Sequence, residues 1–302
     1  MQFPTAPLEG KKLSRVIFSI RTSALPDRGI SDLLRKLYEM GVWCFDLPSL
    51  KHLESFRELR RLTDDDALIG FCHLAVEEGV SFVGKPLHRF ESKVISTIKK
   101  NLGSSGFFRN LPHTPSSSDV FTQKEIDRIS VDPLRLDKAI SVFSPQDSPF
   151  LVIGNRYGDW LLALGRIDLL KDMVLRVREK GFIPIFSGQW TTFALPKVKA
   201  LDFAAYAVPV NKGGEFVDLD RACDLVKRFD KPVISLNPLA DGGLLKDPEE
   251  AFSFLFKELK IHAAIVEIAS EVEAGAIIES LKEVPSLIFH RKKGSPPRQR
   301  ES

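Results

Sequence analysis

Apolar residues along this chain arrive in short, nearly unbroken runs, and between the runs they recur at every third or fourth position. "RVIFSI" (15–20) is the first run, and "ISDLLRKLYEMG" after it sets Ile30, Leu33, Leu34, Leu37 and Tyr38 on one helical face. Gly41 ends that helix as a C-terminal glycine does. "VWCFD" (42–46) is the second strand, the short helix "ESFRELRRL" follows, and "ALIGFCHL" (67–74) is the third strand. The rhythm lapses between about 75 and 145, where the helices "RFESKVISTIKKNL" and "DPLRLDKAISVF" flank a breaker-rich "GSSGFFRNLPHTPSSSD". It resumes with "PFLVIGN" (149–155), one long helix expected from Leu161 to Lys180, then "FIPIFSG" and "FAAYAVPVN" (203–211). "LDRACDLVKRF", "KPVISLNPLA", "EEAFSFLFKEL", "HAAIVEIAS" and "VEAGAIIESLKEV" alternate helix and strand to the end.

Eight apolar strands, each followed by helical material, predict a parallel sheet buried on both faces. The fold class expected is α/β: a (β/α)8 barrel with an inserted helical and loop segment after the third strand. One barrel domain is expected over 1–290, with the insertion at about 75–145 and a disordered basic tail at 291–302. An open, doubly wound sheet competes with this, but the first strand runs into "RTSALPDRG" where such a sheet carries G-x-G-x-x-G.

Charge alters the picture little. The net charge is +3, and much of the excess lies in "RKKGSPPRQRES" at the end, so the body offers no basic field for nucleic acid. Cys44, Cys72 and Cys223 are scattered in apolar surroundings and form no C-x-x-C pair, which argues against zinc, against disulfides and for a reducing compartment. No apolar run is long enough to span a membrane, and "MQFPTAPLEGKK" lacks a signal-peptide core, so a cytoplasmic protein with no membrane partner is expected. Asn and Gln, five of each, are scarce beside Lys, Arg and Glu, a bias that points toward a thermophile.

Barrel enzymes place their chemistry where strands end. The strand-terminal residues here are Arg21, Asp46, His73, Asn155, Gln189, Asn211, Asn237 and Ser270, a polar ring around a mouth that would take a small-molecule ligand. Asp46 carries a carboxylate to the tip of a buried strand, where it needs a donor, and Lys51 and His73 are the nearest candidates. Each has a bland reading beside the functional one: Asp46 as a structural ion pair, Lys51 as a solvated loop lysine, His73 as a strand-end histidine. The basic "GKPLHRFESKVIST" (84–97) is either a lid over the mouth or an amphipathic surface helix.

Several of these segments together resemble the aldo-keto reductases, NAD(P)H-dependent (β/α)8 enzymes. "YEMGVWCFDLPS" is similar to the family's second-strand motif, "FIPIFSGQ" to its fifth strand, "LDFAAYAVPVN" to its sixth and "SLNPLADGGLL" to its seventh. The likeness runs from about Arg15 to Val284 and is poor over 75–125. It implies a catalytic Asp, Tyr, Lys and His, of which Asp46 alone matches; Lys51 holds the tyrosine position, Cys72 or His73 the lysine position and Asn155 the histidine position. Tyr157 is the one nearby phenol, on a different strand end. Asp46, Lys51, His73 and Asn155 are therefore the catalytic candidates.

The same resemblance implies cofactor contacts from Ser187, Gln189, Asn237, Leu239, Gly242 and Ser270. Glu267, Glu271 and Glu273 stand where the family grips a 2′-phosphate with a cation, which admits NAD(H), disfavours NADP(H) and calls for no metal. Three functions remain open on the sequence: a divergent oxidoreductase, a barrel that has lost redox chemistry and binds a ligand or serves as a scaffold, and a lyase or hydrolase working through Asp46 and His73.

Overall fold

Within a strand every second side chain faces the same way, and that parity sorts the apolar residues of this chain into two cores. Ile17, Cys44, Phe71, Phe150, Ile185 and Ile265 belong to an inner cluster, whereas Phe18, Phe45, Cys72, Leu151 and Phe186 pack outward among the helices. In the computed structural model, which describes residues 3–21, 29–75, 79–102, 119–213 and 218–284, these two cores are the inside and outside of a closed barrel.

A hairpin of β1 (Thr5–Leu8) and β2 (Lys11–Ser14) comes first, followed by β3 (Val16–Ile20), β4 (Cys44–Leu47) and β5 (Ile69–His73). Three short strands, β6 (Val80–Phe82), β7 (Lys85–Pro86) and β8 (Ile129–Val131), make a separate antiparallel sheet. Then come β9 (Phe150–Gly154), β10 (Ile183–Ser187), β11 (Ala205–Pro209), β12 (Val233–Leu236) and β13 (Ala263–Ile268). The barrel closes in the order β10-β11-β12-β13-β3-β4-β5-β9, all parallel. Leu8 and Leu13 of the hairpin join the inner cluster, so β1 and β2 plug the end where the strands begin.

Helices cover the outside: α1 (Gly29–Glu39) and α2 (Leu50–Thr63), then α3 (Glu91–Leu102), α4 (Gln123–Ile126) and α5 (Pro133–Ile140) between β5 and β9. After β9 run α6 (Asn155–Ala163), α7 (Ile167–Glu179), α8 (Thr191–Val198), α9 (Leu219–Arg228), α10 (Pro248–Ser253) and α11 (Glu271–Lys282). The sequence pattern predicts all eight barrel strands to within a few residues, but it misses the N-terminal hairpin, the small sheet and α8. The single helix expected from Leu161 to Lys180 is two. Gly165, at φ 78°, breaks it, and the Arg166 guanidinium then bridges the Ile126 and Ile129 carbonyls and the Asp168 carboxylate. The basic tail at 291–302 lies outside the described residues, as does the breaker-rich 103–118.

Candidate functional site

Strand parity also fixes what meets at the mouth. Ser19, Asp46 and His73 each lie two residues beyond an inner-core residue, Ile17, Cys44 and Phe71, so all three point to the inside at the open end. Ser19 and Asp46 are paired across β3 and β4. The Ser19 hydroxyl donates to Asp46 Oδ2 at 2.8 Å, and His73 Nε2 donates to Asp46 Oδ1 at 2.7 Å. Asp46 is 6% exposed, and a carboxylate so placed needs both donors.

The second nitrogen of His73 is the opening in this arrangement. Nε2 is held by Asp46, while Nδ1 has no partner among the described residues and the side chain keeps 25% of its surface exposed. Burial opposes a charge on the ring, but the Asp46 carboxylate, through its charge and its hydrogen bond, outweighs burial and raises the His73 pKa above the ordinary imidazole value. Lys51 does not occupy this position: it stands exposed in the first turn of α2, with its charge acting on His52. His73, not Lys51, is the cation at Asp46.

Next to this trio, the β9 end carries the insertion. Asn155 opens α6 with φ 51° and an exposed side chain. Two residues on, the buried Tyr157 hydroxyl lies 3.0 Å from His88 Nδ1, and Arg156 pairs with Glu91 at 2.9 Å. The 84–97 segment is thus pinned to the start of α6, on the mouth side of the barrel. One turn into α6 is Asp159, 1% exposed, whose Oδ2 accepts the Gln189 N–H at 2.6 Å while Oδ1 has no partner among the described residues. Burial pushes its pKa up to about 7, against the pull of the Gln189 and Trp190 backbone N–H groups.

On the far side, the groups expected to hold a cofactor are turned to local tasks. Ser187 is buried, and Gln189 is exposed with its backbone N–H on Asp159. Asn237 closes a turn with Asp241 through both of its amide atoms, and its carbonyl takes the Asn211 amide at 3.0 Å. Leu239 is buried and Gly242 half-buried, at φ 93°, in that turn. Ser270 caps α11 by accepting the Glu273 N–H at 3.1 Å. The acidic run is not the bare field expected from the sequence. Arg21 meets Glu267 at 3.6 Å, Lys36 meets Glu271 at 2.9 Å and Glu273 accepts the Ala269 N–H. Arg21 and Lys36 are thus already paired with carboxylates, and the Asn237 and Ser270 side chains are engaged in their own turns.

Of the catalytic candidates, the structure brings Asp46 and His73 into contact; Lys51 and Asn155 stand apart from that pair in the hydrogen bonds made. Ser19, Ser49, His52 and Asp159 escape the sequence reading. Ser19 had a signal, the same two-residue step from an inner apolar position that marks Asp46 and His73. Asp159 had none, since nothing in a helix heptad marks a carboxylate that folds under the next strand's loop. Cys44 and Cys72 are buried and inert, their thiols pushed up to about 12 and about 11 by burial. Among the described residues, no group of three or more His, Cys, Asp or Glu side chains could hold a metal ion. Nor is any described helix long and apolar enough to cross a membrane.

No family model matches this sequence, and no curated protein resembles it in sequence. The fold does have known counterparts. The holo form of an aldo-keto reductase from Bacillus halodurans superposes with a TM-score of 0.56 at 9% identity, over 93% of this chain and 91% of that one. An aldo-keto reductase from Brucella melitensis gives 0.53 at 8% identity, over 93% and 94%. The chain is a (β/α)8 barrel of the aldo-keto reductase shape, with an Asp–His pair at its mouth.

Proposed function

We propose that the mouth works by proton transfer on a small polar ligand bearing a carbonyl or hydroxyl oxygen, with Asp46 and His73 as the acid–base pair. The observation that carries this is the geometry of His73: Nε2 fixed by Asp46, Nδ1 open. With the ring charged, Nδ1–H can protonate a ligand oxygen while Asp46 stabilises the imidazolium, and Ser19 keeps Asp46 in place. With the ring neutral, Nδ1 accepts a proton instead. A raised pKa keeps the acid form populated closer to neutral pH than a free imidazole would. The reading needs neither nucleic acid nor membrane.

A divergent oxidoreductase is the second reading. It is favoured by the shared barrel shape and by a carboxylate on β4 that meets a cation from the end of β5, the pairing the reductase resemblance implies.

Two measurements separate the readings. Titration of the protein with NADH and NADPH, followed by nucleotide fluorescence, should give no saturable change; micromolar binding of either would move the oxidoreductase ahead. Small aldehydes and ketones, screened against the ring resonances of His73 by NMR, should include compounds that shift them, and Asp46→Asn should abolish the shift. If mouth-binding compounds leave those resonances unmoved, proton transfer by His73 is wrong.

A further inference from the structure

Three residues past Asp46, the chain sets up a second hydroxyl–imidazole pair that the acid–base site does not use. Ser49 is the N-cap residue of α2, and its hydroxyl lies 2.7 Å from His52 Nδ1. His52 Nε2 lies 3.0 Å from the Ile20 carbonyl oxygen. A carbonyl only accepts, so Nε2 carries the ring proton. Burial, with His52 at 2% exposure, lowers its pKa below the ordinary value and favours the neutral ring. Nδ1 is then a lone pair, and the Ser49 hydroxyl must be the donor. The tautomer and the direction of the bond follow from these contacts.

That use of the hydroxyl is unusual for its position. An N-cap serine ordinarily accepts a backbone N–H from the first helical turn, worth about 1 kcal/mol. Ser49 makes no such bond. Ser49 is exposed, its hydroxyl is aimed at a buried base, and it stands beside the positive end of a 14-residue helix. A hydroxyl backed by a neutral imidazole whose far nitrogen is anchored is the arrangement that nucleophilic acyl transfer requires, and helix-end N–H groups favour the oxyanion that forms.

We propose that Ser49 is an acyl-accepting nucleophile, with His52 as its base and Ile20 as the anchor of that base, acting on small carboxylic esters. The Ser49 proton passes to His52 Nδ1 as Oγ bonds to the acyl carbon. The adduct collapses with cleavage of the bond to the leaving alcohol, which takes the proton from His52, and the acyl group remains as an ester on Ser49. Water, activated in turn by His52, hydrolyses that ester to the free acid, so ester and water become acid and alcohol. This activity is independent of the Asp46–His73 reading, and either can fail without the other.

p-Nitrophenyl acetate tests it on the full chain. A burst of one p-nitrophenolate per chain is expected, with acetyl found by mass spectrometry on the peptide holding Ser49. Ser49→Ala should stay folded, at a lower melting temperature because the buried His52 Nδ1 loses its donor, and lose both burst and label. His52→Gln retains an amide donor for Ile20 and should slow acylation by about a hundredfold. The wild-type rate should depend on a group titrating below the ordinary imidazole value of about 6.5, because burial at His52 lowers it most, against the Ile20 hydrogen bond and Asp46, which raise it, and with His73 and Lys51, which lower it. Should His52→Gln fail to fold, that pH profile on the intact protein still decides. Label spread over other side chains, an unaltered burst in Ser49→Ala, or a rate that titrates with an unshifted imidazole would each overturn the proposal.

Discussion

Asp46 and Asp159 both stand at the open end of the barrel, and both are almost wholly buried, at 6% and 1% exposure. They have been handled in opposite ways. Asp46 meets a hydroxyl on one oxygen and an imidazole on the other. Asp159 meets backbone N–H on one oxygen and no described group on the other, and its pKa rises to about 7. Burial alone cannot sort the two. What differs is a partner able to take up positive charge, which β5 supplies at Asp46 and no described side chain supplies at Asp159. A buried carboxyl with a titratable cation is a candidate for chemistry; one held only by amides is an anchor for the loop after β10.

The largest effect expected from breaking this contrast is at Asp46. Asp46→Ala leaves the half-buried His73 ring without its acceptor, and unfolding free energy at pH 6 should fall by about 2 kcal/mol. The His73 pKa, above the ordinary value in the intact protein, should drop below about 6.5, because burial is then the dominant influence left. Denaturant melts and ring NMR read the two quantities. A His73 that stays raised without Asp46 would mean that another carboxylate holds it, and the comparison would collapse.

Asp159 should respond in the other direction. Its folded pKa, about 7, lies above the ordinary aspartate value of 3.8, so the folded state holds the proton more tightly than the unfolded one. Stability from this group is complete below about pH 4 and is lost as pH rises through 7, at about 1.4 kcal/mol for each pH unit crossed between the two values. Asp159→Asn should therefore lower stability by about 2 kcal/mol at pH 4, the cost of a buried amide with one unmet donor, and raise it by about 2 kcal/mol at pH 8, where the charged carboxylate of the parent costs more. Equal melting temperatures for variant and parent at pH 8 would show that Asp159 has a partner cation after all.

His73 slopes the same way, for the other charge type. A histidine whose folded pKa is raised contributes fully below its unfolded value, about 6.5, and the contribution is lost as pH rises through the folded value. The parent protein should thus become less stable between about pH 6 and 8, through both groups. The Asp46→Asn, Asp159→Asn double variant should show a much flatter profile over that window, measured by urea melts at fixed ionic strength. A decline as steep as the parent's would assign the pH dependence elsewhere.

The barrel was legible because its signal is redundant: eight apolar runs such as "FLVIG" and "AAIVEI" say the same thing. Asp46 and His73 were legible because strand ends converge in a barrel. Their contact follows from register, with Leu47 beside Cys72 and His73 one step further along β5. What stayed hidden lacks either redundancy or periodicity. The N-terminal hairpin is eight paired residues around Glu9-Gly10, where both residues take positive φ, too short for alternation to stand out. Gly165 breaks a helix that its flanking heptads would continue, and the break is secured by Arg166 reaching carbonyls about 40 positions away, which no local pattern contains. The engagement of Asn237 and Ser270 in their own turns is likewise tertiary detail, invisible in residue type.

The smallest effect tests the choice between Lys51 and His73. Sequence spacing makes both candidates for the cation at Asp46, five residues away in one case and on the next strand in the other. The structure puts His73 at 2.7 Å and leaves Lys51 exposed on the first turn of α2. Lys51→Ala should then change stability by less than about 0.5 kcal/mol, the usual range for an exposed side chain, and leave the His73 pKa in place. Lys51 also acts on His52, whose pKa it helps to lower after burial has done most of the lowering, so that value should rise slightly. Ring NMR of both histidines in one titration reads the two predictions together. A fall in the His73 pKa on losing Lys51 would place the lysine inside the acid–base site, and the β4–β5 side of the mouth would then hold three charged partners where the contrast with Asp159 assumes two.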